Sequence, residues 1–163
     1  MLVLRALLSV VLFPGTVTIA IPYRLLSSDL GFPPLGLGPL RWLGAPLLAA
    51  GVAVLLWCVW DFLFAGRGTL APYDPPSRLV SRGLYRWVRN PMYVGVSSIL
   101  FGEALVFDAS VLLVHASVVW LVFHLFVLLY EEPHLRRKFG AAYDDYRSGV
   151  PRWIPSRARR TSR

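Results

Sequence analysis

Four long apolar runs, separated by polar connections, constrain the fold of this chain more than any other feature of its sequence. The runs extend over residues 2–21, 40–64, 92–107 and 109–130. A helix needs roughly 20 consecutive apolar residues to cross the hydrocarbon of a bilayer, and the runs are close to that length. The sequence therefore predicts an all-α fold, a polytopic membrane helical bundle with about four transmembrane helices.

The connections between the runs also predict how the helices follow one another. Residues 33–39 read Pro-Pro-Leu-Gly-Leu-Gly-Pro, a stretch that cannot continue a helix because proline lacks the amide donor and glycine favours turns. Between the last two runs only Asp108 interrupts the apolar character, so we expect a tight helical hairpin there. Small residues recur at every fourth position in the second and third runs and predict close helix packing in lipid. They are Ala45, Ala49 and Ala53, and Ser98 and Gly102.

The basic residues predict the orientation of the chain. The formal net charge is +8, and most arginines lie either between residues 67 and 89 or after residue 135. Short loops rich in Lys and Arg stay in the cytoplasm, so four spans with both termini inside place both basic regions on one face. We therefore expect an inner or cytoplasmic membrane, a cytoplasmic C-terminal segment and a cytoplasmic active site. Nucleic acid is not an expected partner, because these arginines adjoin apolar runs instead of forming a water-exposed face.

The first run has some features of a cleavable secretory signal, with a possible cleavage point near Ala20. Its apolar stretch is longer than a typical signal core, and we interpret it as a retained first span. No metal site is expected. Cys58 is the single cysteine, and the three histidines lie far apart along the chain.

The segment before the third run has the features of a helix start suited to an anionic ligand. Asn90 is a favourable N-cap residue and Pro91 suits the first helical position. The free N–H groups and positive dipole end of such a helix attract negative charge, and Arg89 adds a fixed positive charge. A carboxylate could bind there.

Two adjacent carboxylates, Glu131 and Glu132, follow the fourth run. Ionisable groups at that depth are costly and usually face a cavity or a partner. The pair suits a cationic ligand such as an ammonium or sulfonium, or a ribose whose hydroxyls need acceptors. The alternative is that the pair marks the water boundary and meets Arg136 or Arg137 one turn later. The spacing alone does not choose between these readings.

Two further ionisable residues lie within the apolar runs. His124 precedes Glu131 by two turns and lies near the same helical face, whereas His115 projects elsewhere. Glu103 is a buried carboxylate that must be paired or neutral, and it either lines a pocket or bridges to His124.

Four ordered motifs in the second half of the chain resemble the C-terminal core of the isoprenylcysteine carboxyl methyltransferase and phospholipid methyltransferase superfamily. The resemblance extends over about residues 68–155. Its motifs are residues 83–95 (GLYRWVRNPMYVG), 131–135 (EEPHL), 139–146 (FGAAYDDY) and 150–155 (VPRWIP). The resemblance implies a methyltransferase-like core over residues 67–155. The apolar runs, the absence of an internal repeat and the arginine-rich end predict the rest of a single membrane domain over residues 1–163, with two N-terminal spans in residues 1–66 and a basic tail in residues 156–163.

The resemblance also implies a cofactor, a substrate class and residue roles. The cofactor is S-adenosylmethionine, and the acceptor is a lipophilic small molecule that enters from the membrane lipid. The implied cofactor-binding residues are Leu79, Val80, Tyr85, Arg89, Asn90, Pro91, Met92, Tyr93 and Glu131. Arg152 closes the pocket or neutralises a carboxylate, and Glu132, His124 or Glu103 would receive a proton if the acceptor is an amine or a thiol. A carboxylate acceptor would need no general base.

The chain departs from the family pattern at two positions. Asn90 stands where the family usually has histidine, and Val127 stands where the eukaryotic prenylcysteine enzymes have a substrate-binding arginine. The sequence leaves the acceptor and the oligomeric state open. The helical membrane pattern is also compatible with two other functions: a non-catalytic lipid-binding or scaffold protein, and a sterol-type membrane reductase with a nicotinamide cofactor. The latter fits poorly with so short a chain.

Overall fold

The computed structural model describes residues 14–61 and 83–155 of the chain. In this part of the chain the regular structure is helical and no strand occurs, as the sequence predicts. The helices are α1 (Ile21–Ser27), α2 (Gly44–Asp61), α3 (Pro91–Val106), α4 (Ser110–Phe126), α5 (Glu132–Phe139) and α6 (Ala141–Gly149). Short 3-10 turns occupy Gly38–Leu43 and Gly83–Arg86, and π-helical turns occupy Thr16–Ala20 and Val127–Glu131.

Two helical segments among the described residues are long and apolar enough to cross a membrane. Gly38–Asp61 has 24 residues and a mean hydropathy of 2.1, and Ser110–Phe139 has 30 residues and a mean hydropathy of 2.4. Helix α3 is apolar but shorter. Residues 1–13 lie outside the described part of the chain, so the prediction of about four spans is neither confirmed nor contradicted.

Helix α3 lies between α2 and α4, and its closest partner is α2. The contact depends on glycines spaced seven residues apart. A Cβ on Gly51 would lie 2.7 Å from the carbonyl oxygen of Gly95, and a Cβ on Gly102 would lie 2.8 Å from the backbone nitrogen of Leu48. Gly44 meets Gly102 in the same way, so α2 and α3 run antiparallel with their backbones in contact.

The predicted alanine stripe on α2 is wrong. Ala45, Ala49 and Ala53 are exposed, whereas Gly44 and Gly51 are buried. The prediction of close packing on α3 is confirmed at Gly102, which packs directly on Leu48. The physical reason is that only glycine lets the two backbones approach this closely.

The predicted helical hairpin is present. Helices α3 and α4 are joined by three residues, 107–109, and Asp108 takes a left-handed conformation with φ of 54°. Aspartate tolerates this conformation better than most residues. The Oδ1 atom of Asp108 accepts a hydrogen bond from the Leu37 amide at 3.0 Å, and its carbonyl accepts one from the Leu35 amide at 3.1 Å. The loop of glycines and prolines is thereby held against the tip of the hairpin.

The fourth apolar helix does not end at Glu131 and Glu132. It continues through the π-helical turn Val127–Glu131 into α5, so that helical structure runs from Ser110 to Phe139. The amide of Glu132 donates to the carbonyl of Val127, five residues earlier. Pro133, which has no amide donor, directly follows this wide turn. The carboxylate pair is therefore placed by a wide helical turn.

The α2–α3 contact can be tested by adding one methyl group. We expect Gly51→Ala to destabilise the protein by about 1–3 kcal/mol, because the methyl would overlap backbone atoms of α3. The measurement is the melting temperature in detergent. Gly149→Ala is the control, because a Cβ at that position has no neighbour within 4 Å. Equal melting temperatures for the two variants would contradict the proposed contact.

Candidate functional site

The start of α3 forms one wall of the candidate site. Asn90 is the N-cap residue and Pro91 occupies the first turn, as the sequence predicts. The Asn90 side chain makes no cap hydrogen bond, however. Its Nδ2 atom donates to the carbonyl oxygen of Arg152 at 3.3 Å, because the C-terminal segment, residues 150–155, lies across this helix end.

Glu132 is the centre of a buried ion cluster. Its Oε1 atom lies 2.9 Å from an Arg89 terminal nitrogen and 2.7 Å from Arg152 Nε, and its Oε2 atom accepts from Arg152 at 2.9 Å. The residue is only 7% exposed. Arg136 pairs with Asp144 instead of with the acidic pair. The reading in which the pair only meets Arg136 or Arg137 at the water boundary is therefore wrong.

Glu131, the adjacent carboxylate, points to a different partner. Its Oε2 atom accepts a hydrogen bond from the Tyr93 hydroxyl at 3.1 Å, and the Tyr93 ring packs against Phe123 with ring centroids 4.7 Å apart. This contact joins the start of α3 to the end of the α4 helix, 38 residues later in the chain. Two polar segments that are distant in sequence thus line one site.

The C-terminal segment closes over the start of α3. The amide of Arg89 donates to the carbonyl of Pro151 at 2.9 Å, and Arg152 binds Glu132 through two hydrogen bonds. Trp153 Nε1 donates to His124 Nδ1 at 3.2 Å. Backbone and side-chain contacts therefore tie this segment to both α3 and α4.

His124 lies at the edge of the site within an aromatic cluster. Its ring stacks on Trp120 at a centroid distance of 5.2 Å and also contacts Trp153 at 5.8 Å. Because Nδ1 accepts a hydrogen bond from the Trp153 indole N–H, the neutral tautomer that fits this contact carries its proton on Nε2. The predicted alternative of a bridge between His124 and Glu103 is wrong, because His124 bonds to Trp153 and a buried carboxylate oxygen of Glu103 has no hydrogen-bond partner among the described residues.

Helix α6 adds residues to which the sequence assigned no role. Tyr143 is 2% exposed and contacts Arg89, and the Tyr146 hydroxyl donates to the carbonyl of Tyr85 at 2.7 Å. The signal in the sequence was the spacing of three residues, which places two aromatic rings on one face of a short polar helix. Both residues support groups that line the site.

The ionisation of the residues around the site follows from burial and pairing. Burial raises the pKa of Tyr85 well above its ordinary value, and burial also raises the pKa of Tyr143 and Tyr146. These three phenols are therefore neutral hydrogen-bonding groups at physiological pH. Hydrogen bonding to Glu132 raises the pKa of Arg152, so this residue stays cationic.

The structure brings most of the predicted site residues together. Arg89, Asn90, Pro91, Met92 and Tyr93 are consecutive residues at and just before the start of α3. This segment lies close to four other predicted residues: Tyr85, Glu131, Glu132 and Arg152. Leu79 and Val80 lie outside the described residues. In the described residues no group of three or more His, Cys, Asp or Glu side chains is placed to hold a metal ion.

This arrangement can bind a ligand that carries both signs of charge. Glu131 offers a carboxylate that accepts a hydrogen bond from a neutral phenol instead of binding a cation. Arg89 Nε is buried and has no hydrogen-bond acceptor among the described residues, and no side chain caps the first turn of α3. A cationic group suits the first position and an anionic group suits the second.

Comparison with known proteins identifies the family. The family model for phospholipid methyltransferase (PEMT) matches residues 40–142, more than half of the chain. A relative named phosphatidylethanolamine N-methyltransferase 1, from Vanderwaltozyma polyspora, is 36% identical over 98 residues. That alignment covers 54% of this chain but only 12% of the relative. The resemblance to this membrane methyltransferase superfamily is confirmed.

The ion cluster predicts a measurable role for Arg152. We expect Arg152→Met to release residues 150–155 from the start of α3, because removing one partner leaves Glu132 without its bidentate ligand. Breaking a buried pair costs about 3–5 kcal/mol, and we expect a smaller loss because Arg152 is partly exposed. The measurement is hydrogen exchange of the Trp153 indole N–H. Arg137→Met, at an exposed position on α5, should leave this exchange unchanged. Equal exchange in both variants would contradict the cluster's role.

Proposed function

The chain belongs to the phospholipid methyltransferase family, and we propose that it is a membrane enzyme that transfers a methyl group from S-adenosylmethionine to a lipid. The relative's name specifies phosphatidylethanolamine as the acceptor for that protein. For this chain we propose a lipophilic acceptor that enters from the bilayer. Val127, which replaces the arginine of the prenylcysteine enzymes, is fully buried, and this favours an acceptor other than prenylcysteine.

The contact between Tyr93 and Glu131 carries the proposal. Helix packing alone requires neither a tyrosine hydroxyl nor a carboxylate at this depth, and an intramembrane carboxylate generally serves a ligand. Here the two side chains meet beside the Arg89–Glu132–Arg152 cluster. The non-catalytic scaffold alternative does not explain why these polar groups converge.

The residues present fit S-adenosylmethionine. This cofactor carries a sulfonium and an ammonium as well as a carboxylate, and when bound it supplies an electrophilic methyl group. Glu131 would face a cationic part. Arg89 and the uncapped first turn of α3 would hold the carboxylate, because they offer positive charge and free donors. Tyr85, half-buried and close to Glu131, would line the same space.

The protein's contribution to catalysis would rest on alignment and exclusion of water. Methyl transfer is an in-line displacement, so holding donor and acceptor in register supplies much of the rate. The C-terminal segment covers the start of α3 and would keep water out. Glu132 is paired with two guanidinium groups and is therefore a weak proton acceptor, so we assign it and Arg152 positioning roles. His124, whose Nδ1 is already occupied, is placed to fix Trp153.

We also propose the orientation in the membrane. Both ends of the chain and the site lie on the cytoplasmic side of a four-span bundle, and the loop held by Asp108 lies on the opposite side. The two long helices and the concentration of arginines at the site end support this arrangement.

The decisive experiment identifies the methylated molecule. The full-length protein is reconstituted in vesicles of its host lipids and incubated with S-adenosylmethionine radiolabelled in the methyl group. Lipids are then extracted and separated. Label in a lipid that depends on the protein supports the proposal, whereas label only in unreacted donor contradicts it.

The cofactor site is tested by two substitutions at the central contact. We expect Tyr93→Phe together with Glu131→Ala to weaken binding of S-adenosylmethionine in detergent by about a hundredfold, since a buried charge partner and its donor are both lost. The measurement is isothermal titration calorimetry. Tyr130→Phe is the matched control, because Tyr130 is exposed and adjacent to Glu131. Unchanged affinity in the double variant would overturn the site assignment.

The orientation is tested by thiol labelling. In a Cys58→Ser background, we expect Ser148→Cys to react with a membrane-impermeant maleimide only from the cytoplasmic side, because Ser148 is exposed near the site end. Ser28→Cys, in the exposed loop at the other end, should react only from the opposite side. Labelling of both cysteines from one side would exclude the proposed topology.

A further inference from the structure

Tyr146, on α6, makes a contact to which the proposed function assigns no role. Its hydroxyl donates a hydrogen bond to the backbone carbonyl of Tyr85 at 2.7 Å, across 61 residues of sequence. Tyr146 also lies beyond residue 142, where the match to the family model ends. The contact therefore links a residue outside the matched region to one that lines the candidate cofactor site.

The Tyr85 carbonyl needs a donor from outside its own turn. Tyr85 lies in the 3-10 turn Gly83–Arg86, and the amides of the two residues after the turn both donate to the carbonyl of Leu84. The amide of Arg89, which a continuing helix would direct to the Tyr85 carbonyl, donates to the C-terminal segment instead. A backbone carbonyl that is partly removed from water is costly without a partner, so the Tyr146 hydroxyl completes the turn.

The same turn places the Tyr85 side chain at the candidate site. The Tyr85 phenol forms a hydrogen bond with Cys58 on α2 and is close to Glu131. Gly83 packs the turn directly against α2, because a Cβ at this residue would collide with a carboxylate of that helix. The turn is thus held by α2 and by α6. A shift of its backbone would move the phenol relative to Glu131.

Helix α6 is itself fixed by contacts other than the one to Tyr85. Tyr143, three residues before Tyr146 and on the same helical face, is 2% exposed and contacts Arg89. On the exposed side, Asp144 pairs with Arg136 of α5 at 3.1 Å. Because these contacts hold α6 in place, the Tyr146 hydroxyl can set the position of the turn.

We propose that Tyr146 is a positioning residue for the binding of S-adenosylmethionine. The inference rests on the proposed function, which places this cofactor between Glu131 and the start of α3. Tyr146 does not touch the cofactor. It holds the backbone of Tyr85, and Tyr85 in turn presents its phenol beside Glu131. Helix α6, most of which lies beyond the family match, thereby contributes to the affinity for the methyl donor.

The first test removes a single hydroxyl group from the detergent-solubilised full chain. We expect Tyr146→Phe to weaken the binding of S-adenosylmethionine about fivefold in calorimetry, because the Tyr85 carbonyl is left without its donor. Tyr23→Phe, at an exposed position on α1, is the matched control and should keep the wild-type affinity. Unchanged affinity in Tyr146→Phe would contradict the proposal.

A double variant tests whether Tyr146 acts through Tyr85. Tyr85→Leu removes the phenol that the turn presents to the site. In that background, Tyr146→Phe should cause no further loss of affinity, because the positioned group is already absent. An equal loss in both backgrounds would show that Tyr146 acts by another route, such as general destabilisation, and would overturn the proposal.

Enzyme kinetics separate positioning from a loss of folded protein. In vesicles of the host lipids, Tyr146→Phe should raise the KM for S-adenosylmethionine about fivefold and leave kcat nearly unchanged, since the cofactor fills its site at saturation in both proteins. A fall in kcat at unchanged KM is the opposite pattern and would speak for misfolding instead of positioning.

Hydrogen exchange follows the turn itself without any ligand. The amides of Trp87 and Val88, which donate to Leu84, should exchange faster in Tyr146→Phe, whereas the Leu113 amide in the hairpin should not change. Unchanged exchange at the first two amides would overturn the proposal even if the affinity fell. Failure of the wild type to bind S-adenosylmethionine would instead contradict the proposed function, and the exchange rates would still decide whether Tyr146 holds the turn.

Discussion

The carboxylate of Glu132, held between Arg89 and Arg152, is the interaction on which the rest of the site depends. It joins three parts of the chain that are distant in sequence: the segment just before α3, the first residue of α5 and the C-terminal segment. Because Glu132 and Arg89 are largely buried, removal of the Glu132 carboxylate would leave two guanidinium groups side by side without their shared counter-ion. The neighbouring residue, Glu131, is thereby free to face Tyr93. The two adjacent glutamates therefore have different partners: Glu132 binds two arginines, and Glu131 accepts a hydrogen bond from Tyr93.

Local signals in the sequence were sufficient to predict where helices start and turn, but they were insufficient to predict which side chains contact each other in the folded chain. Asn90 and Pro91 start a helix, and Asp108 marks a hairpin, because caps, prolines and interruptions of hydropathy act on their immediate neighbours. The partners of Glu132 could not be derived in this way. Arg136 lies one helical turn from Glu132 and was the partner that local spacing predicted. The observed partner is Arg152, 20 residues later, because the C-terminal segment folds back onto α3. The Asn90 side chain likewise bonds to the carbonyl of Arg152 in this segment and does not cap the helix.

The packing between α2 and α3 illustrates a second limit. Alanine at every fourth position is a common signature of close packing, and it pointed to the wrong face of α2. The glycines that form the contact are seven residues apart on each helix, so that Gly44 meets Gly102 while Gly51 meets Gly95. Only the pairing of the two helices reveals this spacing.

The family match ends at residue 142, yet Arg152 and Trp153, which complete the site, lie beyond it.

The wide turn at Val127–Glu131 has a consequence for how this chain can vary. A π-helical turn contains one residue more than an α-helical path between the same points, which rotates everything beyond it by about 100°. The helix can therefore present one stripe of side chains to its neighbours before the turn and a different stripe to the site after it. Deletion of any one residue between Phe126 and Glu132 would swing the carboxylate away from both arginines. At this point of the chain the length of the segment is under stricter constraint than the identity of its aliphatic residues.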